Sequence, residues 1–230
     1  MTPSDILSTL EIPDWDTASA IKPSEAEFIY SFIKEHNLSK TLEVGFAFSM
    51  SASHIMAATE KPHIACDPFQ DNYKQMGLQN VKKLGLDSLL DFRPEFSHDL
   101  LPKLKNEGKK FDFIFIDGDH KFDGILIDFY YSHFLLEKGG YVMLHDTWMR
   151  STRLIEKFIV KNRKEYVQVP SPLRNIIVFK KIDEDQRDGM FFSEFYTTKS
   201  IVVHSAINYM NSGKSSWFKK MLLGLKSRLR

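Results

Sequence analysis

Two short segments concentrate groups able to hold a cation or move a proton. Asp117-Gly118-Asp119-His120 carries two carboxylates and an imidazole, and His145-Asp146-Thr147 carries one more of each. Carboxylate oxygens suit hard divalent cations, and a histidine, with an ordinary pKa of about 6.5, exchanges a proton near neutral pH. Each segment follows an apolar run, Phe111-Asp112-Phe113-Ile114-Phe115-Ile116 in one case and Tyr141-Val142-Met143-Leu144 in the other. Runs of this kind read as strands buried on both faces, as in a parallel sheet covered by helices. Chain direction then brings both acidic segments to one rim of one sheet. Taken alone, the first segment also reads as a polar turn capping a helix from Asp123.

The elements that position these segments alternate along the chain. Pro23-Ser24-Glu25-Ala26-Glu27 predicts a helix start, with Ser24 as cap and Glu27 returning the bond. Phe28, Ile29, Phe32 and Ile33 form its apolar face, and the helix fades near Asn37. Short strands are predicted at 41–44, 63–66 and 89–92, with helices at 51–59, 73–85 and 100–104 between and after them. A helix over 123–136, broken by Gly139-Gly140, separates the two apolar strands, and another follows at 151–162. Tyr166-Val167-Gln168-Val169 and Asn175-Ile176-Ile177-Val178-Phe179 stand too close for a crossover helix, so they predict an antiparallel hairpin. The fold class is therefore α/β: a doubly wound, mostly parallel sheet ending in an antiparallel hairpin, with a short C-terminal helical extension. Residues 1–182 form the expected domain, 1–22 being a lid or cap segment, and 183–230 the extension.

Three more residues come out at the same rim, where open α/β sheets bind ligands. Glu43-Val44-Gly45 closes the first strand, Asp67 closes the second, and Ser97 precedes Leu100-Leu101-Pro102-Lys103-Leu104. From strand order, hairpin ending and these residues, the sequence over roughly 24–181 resembles the class I S-adenosylmethionine-dependent methyltransferases. The resemblance implies S-adenosylmethionine as cofactor, bound by Glu43, Gly45, Ser51, Asp67, Ser97 and Asp117. Asp67 would take the ribose hydroxyls, and Ser97 would lie near the adenine unless it only caps a helix. The loop Gly45-Phe46-Ala47-Phe48-Ser49-Met50-Ser51 keeps one glycine of the usual glycine-rich turn. That argues against a dinucleotide, whose pyrophosphate needs several glycines and a helix N-terminus.

The two acidic segments further resemble the metal-dependent O-methyltransferases, including the catechol type and the macrocin-type enzymes that act on sugars. Carried over by position, Asp117, His145 and Asp146 would hold a divalent cation, Mg²⁺ or Mn²⁺, and His120 would be the general base. His145 departs from the carboxylate usual there, and imidazole favours softer ions than Mg²⁺. The implied activity is methyl transfer to a hydroxyl of a sugar or other small polyol. An enzyme of the cephalosporin hydroxylase type and a non-catalytic scaffold remain as alternatives. Trp148, Arg150 and Arg153 read either as acceptor-pocket residues or as a solvated helix face.

Composition bounds the rest. With 43% hydrophobic and 27% charged residues, the 230-residue chain can bury a core and remain soluble. Cys66 is the only cysteine, which excludes an intrachain disulfide and fits a reducing, cytoplasmic compartment. The net charge of +1 hides six basic residues and no acid over 214–230, leaving 25 basic against 30 acidic residues elsewhere. An acidic body is a poor nucleic-acid surface. Trp217, Phe218, Met221, Leu222, Leu225 and Leu229 recur at helical spacing among the tail's basic residues. This predicts a basic amphipathic helix suited to an anionic membrane surface, to the body of the protein, or to a neighbouring subunit in a homo-oligomer.

Overall fold

The computed structural model describes residues 1–195 and 198–211. Seven strands form one sheet in the order β3-β2-β1-β4-β5-β7-β6. They are β1 (Thr41–Val44), β2 (His63–Cys66), β3 (Leu90–Arg93), β4 (Phe111–Ile116), β5 (Leu136–Leu144), β6 (Tyr166–Val169) and β7 (Ile177–Lys181). The first five are parallel, and β7 runs antiparallel between β5 and β6. The doubly wound sheet and its closing hairpin are as the sequence predicts.

Alternation along the central strands explains the layers. Ile114 and Ile116 of β4, with Leu42, Val44, Val142 and Leu144, pack beneath α5 (Ser97–Asn106), α6 (Phe122–Leu135) and α7 (Arg150–Asn162). Phe113 and Phe115, with Tyr141, Met143 and Val178, face the other way onto α2 (Pro23–His36) and α3 (Met50–Thr59). Both phenylalanines are fully buried, each worth about 2 kcal/mol relative to exposure. A third cluster joins Ile6 of α1 (Pro3–Thr9) to Met56, Ala65 and Val81, the last on α4 (Met76–Lys83).

Several boundaries differ from expectation for local reasons. Pro23 occupies the first helical position of α2, so Lys22 is the cap and the Glu25 carboxylate accepts its N–H at 2.8 Å; Ser24 and Glu27 do not form the predicted box. Strand β5 begins at Leu136, directly after α6, and not at Tyr141. Gly139 and Gly140 lie within it as a bulge between the Phe111–Leu136 and Phe113–Tyr141 pairs. Tyr73, Lys74 and Gln75 form a turn, with Lys74 and Gln75 left-handed, which delays α4 to Met76.

Met1–Phe191 forms one unit, and beyond it the helix α8 (Thr198–Asn211) is described. The predicted amphipathic helix of the basic tail lies outside the described residues. Among the described residues no helix is long and apolar enough to cross a membrane.

Candidate functional site

The carboxyl ends of β1, β2, β4 and β5 open into one cavity of about 820 Å³, lined by Gly45, Asp67, Ser97, Asp117, His120, His145 and Asp146 among others. Parallel direction puts these strand ends on the same rim, as the alternation of elements requires. Ala18, Ser19 and Ile21, from the segment before α2, close part of the same space.

The loop after β1 is shaped by close backbone contacts. Gly45 has φ +93°, and a Cβ there would lie 2.1 Å from the Asp117 carbonyl oxygen, so no other residue fits without moving β4. Ala47 and Ser49 are also left-handed. Asp67 fastens this loop: one carboxylate oxygen accepts the N–H groups of Phe46 at 3.2 Å and Ala47 at 2.8 Å, and the other accepts that of Phe69 at 2.7 Å. The first oxygen thereby uses both lone pairs, and the second, accepting from Phe69 alone, retains accepting capacity. Ser51 lines a small side cavity of about 30 Å³ together with Gly45 and Asp117. Glu43 lines neither space. It is fully buried beside His63, whose Nε2 is 3.2 Å away and whose Nδ1 meets the Thr41 hydroxyl at 2.8 Å. Burial pushes the Glu43 carboxyl up, and its second oxygen has no hydrogen-bond partner.

At the β4–β5 end two histidines share two aspartates. Half-exposed His120 places Nε2 3.0 Å from Asp146 Oδ2 and 3.7 Å from Asp117 Oδ1. Hydrogen bonding to Asp117 and to Asp146 outweighs partial burial and raises the ring to about 9. Asp146 adopts φ +53°, an uncommon conformation outside glycine that often marks a working position. Its carboxyl is held well below the usual range, first by His120, and it also accepts from Trp148 Nε1 at 2.9 Å. Suitable atoms of Asp117, His120 and Asp146 lie within 4.8 Å of one another, close enough to ligate a common ion.

His145 is buried and engaged on both sides, Nδ1 at 3.0 Å from Asp117 Oδ1 and Nε2 at 3.1 Å from Glu25 Oε2. Burial opposes its charge, but the bonds to Asp117 and Glu25 prevail and lift it to about 10. The buried Glu25 carboxylate is stabilised in return by His145, by Lys22 N–H and by Asn175, which donates from Nδ2 at 3.1 Å, and it stays below its ordinary pKa despite burial. His145 is thus an imidazolium clamp between Asp117 and α2, while His120 is the imidazole that joins the two aspartates at the cavity.

Sequence reasoning missed Glu25 and Asn175. Glu25 has the signal of a helix N-terminal acid, which accounts for its bond to Lys22 but not for its reach to His145. Trp148 is 71% exposed and bonded to Asp146, and Arg153 pairs with Glu156 at 3.2 Å. Neither lines the cavity.

Comparison with known proteins gives this arrangement its context. Residues 42–147 match the family model described as a methyltransferase domain. A caffeoyl-CoA O-methyltransferase from Eucalyptus globulus is 31% identical over 99 residues, 41% of this chain and 40% of that one. One from Medicago sativa is 32% identical over 101 residues, 41% of this chain and 40% of that protein. The matched part thus spans about two fifths of these curated relatives. Among solved structures, an O-methyltransferase from Bacillus cereus in complex with SAH superposes with TM-score 0.57 at 16% identity, covering 78% of this chain and 90% of that one. A Streptomyces achromogenes O-methyltransferase of tomaymycin synthesis, in complex with SAM, gives 0.60 at 14%, covering 79% and 97%. These likenesses establish the fold.

Proposed function

From a chain that carries a methyltransferase domain on the class I methyltransferase fold, we propose an S-adenosylmethionine-dependent O-methyltransferase acting on one hydroxyl of a diol in a sugar or other small polyol. The observation that supports this most is the single cavity joining Asp67 at the end of β2 to Asp117, His120 and Asp146 at the ends of β4 and β5. A methyl donor and an acceptor hydroxyl need to meet in such a space, in line across the transferred methyl. The curated relatives are named for caffeoyl-CoA, which favours a catechol as the second acceptor class.

Asp67 accepts from the ribose hydroxyls with the capacity its backbone bonds leave free, and Gly45 lets the β1 loop run beside the donor. Ser51 lines the small side cavity next to Gly45 and Asp117. Glu43 supports the loop from beneath, without touching the ligand. Water is kept from the donor by residues 18–21, which close one wall.

Two carboxylates and an imidazole in reach of one another fit a divalent cation such as Mg²⁺ or Mn²⁺. Asp117 and Asp146 would hold it, and bound there it would orient a diol and lower the pKa of its hydroxyl. The sequence-based ligand set included His145. We replace that role with a positioning one, because both ring nitrogens are committed to Glu25 and Asp117. His120 faces the cavity and takes the hydroxyl proton. The lone pairs of Asp117 and Asp146 that keep its ring charged are those a cation would use, so occupying them frees His120 as a base.

Methyl transfer from S-adenosylmethionine to a panel of sugar diols and catechols, with Mg²⁺, with Mn²⁺ and with EDTA, tests the reading. Product with metal and none with EDTA is the expected outcome. Transfer indifferent to strong chelation would remove the cation, and turnover of monohydroxy acceptors alone would remove the diol.

A further inference from the structure

The methyl-transfer site leaves one part of the chain without a role. Over 198–230 the sequence holds seven Lys and Arg residues and no acid. Within that stretch α8 carries apolar side chains in water: Val202, Val203 and Ile207 are between 42% and 62% exposed. At 3.6 residues per turn, Val202 and Ala206 form one row and Val203 and Ile207 the next, so the four make one strip. Ser205 and Asn208 stand on the other side and are exposed too. An apolar strip of this kind marks a surface that meets a protein partner or a lipid bilayer.

Residue types separate these occupants. Protein interfaces are depleted in lysine, yet four of the six cations over 214–230 are Lys214, Lys219, Lys220 and Lys226. A second copy meeting strip to strip would set like charges against each other. A nucleic acid would satisfy the cations but leave Met221, Leu222 and Leu225, which are interleaved with them in the sequence, without an apolar partner. A bilayer with anionic headgroups takes both kinds: apolar side chains enter the acyl boundary while lysine stems reach back to phosphate. Residues 1–213 hold 25 basic against 30 acidic residues, so such a surface repels the body of the protein and attracts this segment.

We propose that residues 198–230 attach the protein to an anionic lipid surface, with Val202, Val203 and Ile207 of α8 entering the headgroup–acyl boundary and the lysines and arginines meeting lipid phosphates. Among the described residues no helix is long and apolar enough to cross a bilayer, so α8 lies along the surface. Attachment goes beyond the methyl-transfer reading and is measured without it.

The test is co-sedimentation of the full chain with vesicles of phosphatidylcholine alone and with vesicles of phosphatidylcholine and phosphatidylglycerol in equal parts. Wild-type protein should bind the mixed vesicles at least about 10-fold more tightly, and less so as salt is raised. Lys219→Gln together with Lys220→Gln should weaken that binding by about 30-fold. Val203→Ser together with Ile207→Ser should weaken it by about 10-fold or more. Failure of wild type to bind the mixed vesicles overturns the proposal, as does equal binding to both compositions or unchanged binding in either double variant. A lipid-free dimer that the α8 variant dissociates, with no vesicle binding by wild type, makes a second copy the occupant instead. Should a variant lose its folded body, the wild-type comparison of the two vesicle types decides alone.

Discussion

His120 and His145 draw on the same aspartates, yet their second partners separate them. Buried His145 has Glu25 behind it, whereas half-exposed His120 faces the open cavity. Replacing His120 with alanine should cut the rate of methyl transfer by about 10²–10⁴, the scale of a positioned general base, and should lower the metal requirement, because the ring no longer competes for the carboxylate lone pairs. Asp146→Asn should instead raise the metal concentration needed for half-maximal activity. Parallel metal titrations of both variants check this, and a raised requirement in His120→Ala would make that ring a ligand. Asp128 predicts a stability effect of opposite sign to most core substitutions. Its folded pKa of about 6 exceeds the ordinary 3.8, so below pH 4 the carboxyl is neutral in both states and costs nothing extra. The penalty grows as pH rises from about 4 to 6 and is constant above, at most about 3 kcal/mol. Asp128→Asn should therefore raise the melting temperature at pH 8, with the gain fading toward pH 4; an equal gain or loss at both pH values would contradict it. Asp67, Asp117 and Asp146 were legible because each stands within two residues of a strand's end. Glu25 and Asn175 were not, since their roles depend on neighbours up to 150 positions away.

Helix α2 contributes more than its apolar face. Phe32 and Ile33 hold it on the sheet, while Glu25 in its first turn reaches the rim and braces His145 against Asp117. Glu25→Ala takes one carboxylate from the buried His145 imidazolium and leaves it Asp117, so the change should cost about 1–3 kcal/mol of stability, the worth of a hydrogen bond to a charged group. Thermal or denaturant unfolding measures that, and a loss under 1 kcal/mol would show the clamp to be dispensable. The β1 loop depends likewise on Asp67, which holds it through the N–H groups of Phe46 and Ala47. The periodicity of apolar residues located α2, β1, β2 and β4 closely. It failed at β5 because glycine breaks a helix and also permits a strand bulge, and pairing with β4 decides which.

At the scale of the molecule, the parallel order β3-β2-β1-β4-β5 sets one cavity along the ends of β1, β2, β4 and β5, with the proposed ribose and methyl-transfer positions along it. Alternation of strand and helix made the doubly wound, mostly parallel sheet legible in the sequence, together with the hairpin that closes it. The account stands or falls on this cavity holding the nucleoside of S-adenosylmethionine. Titration of the folded wild-type chain with S-adenosylhomocysteine, beside Asp67→Ala, measures that directly. The prediction is saturable one-to-one binding by wild type, weakened by about 1–3 kcal/mol in the variant through loss of a charge-assisted bond. Absence of saturable binding to folded wild type, or identical affinity in the two proteins, would contradict it.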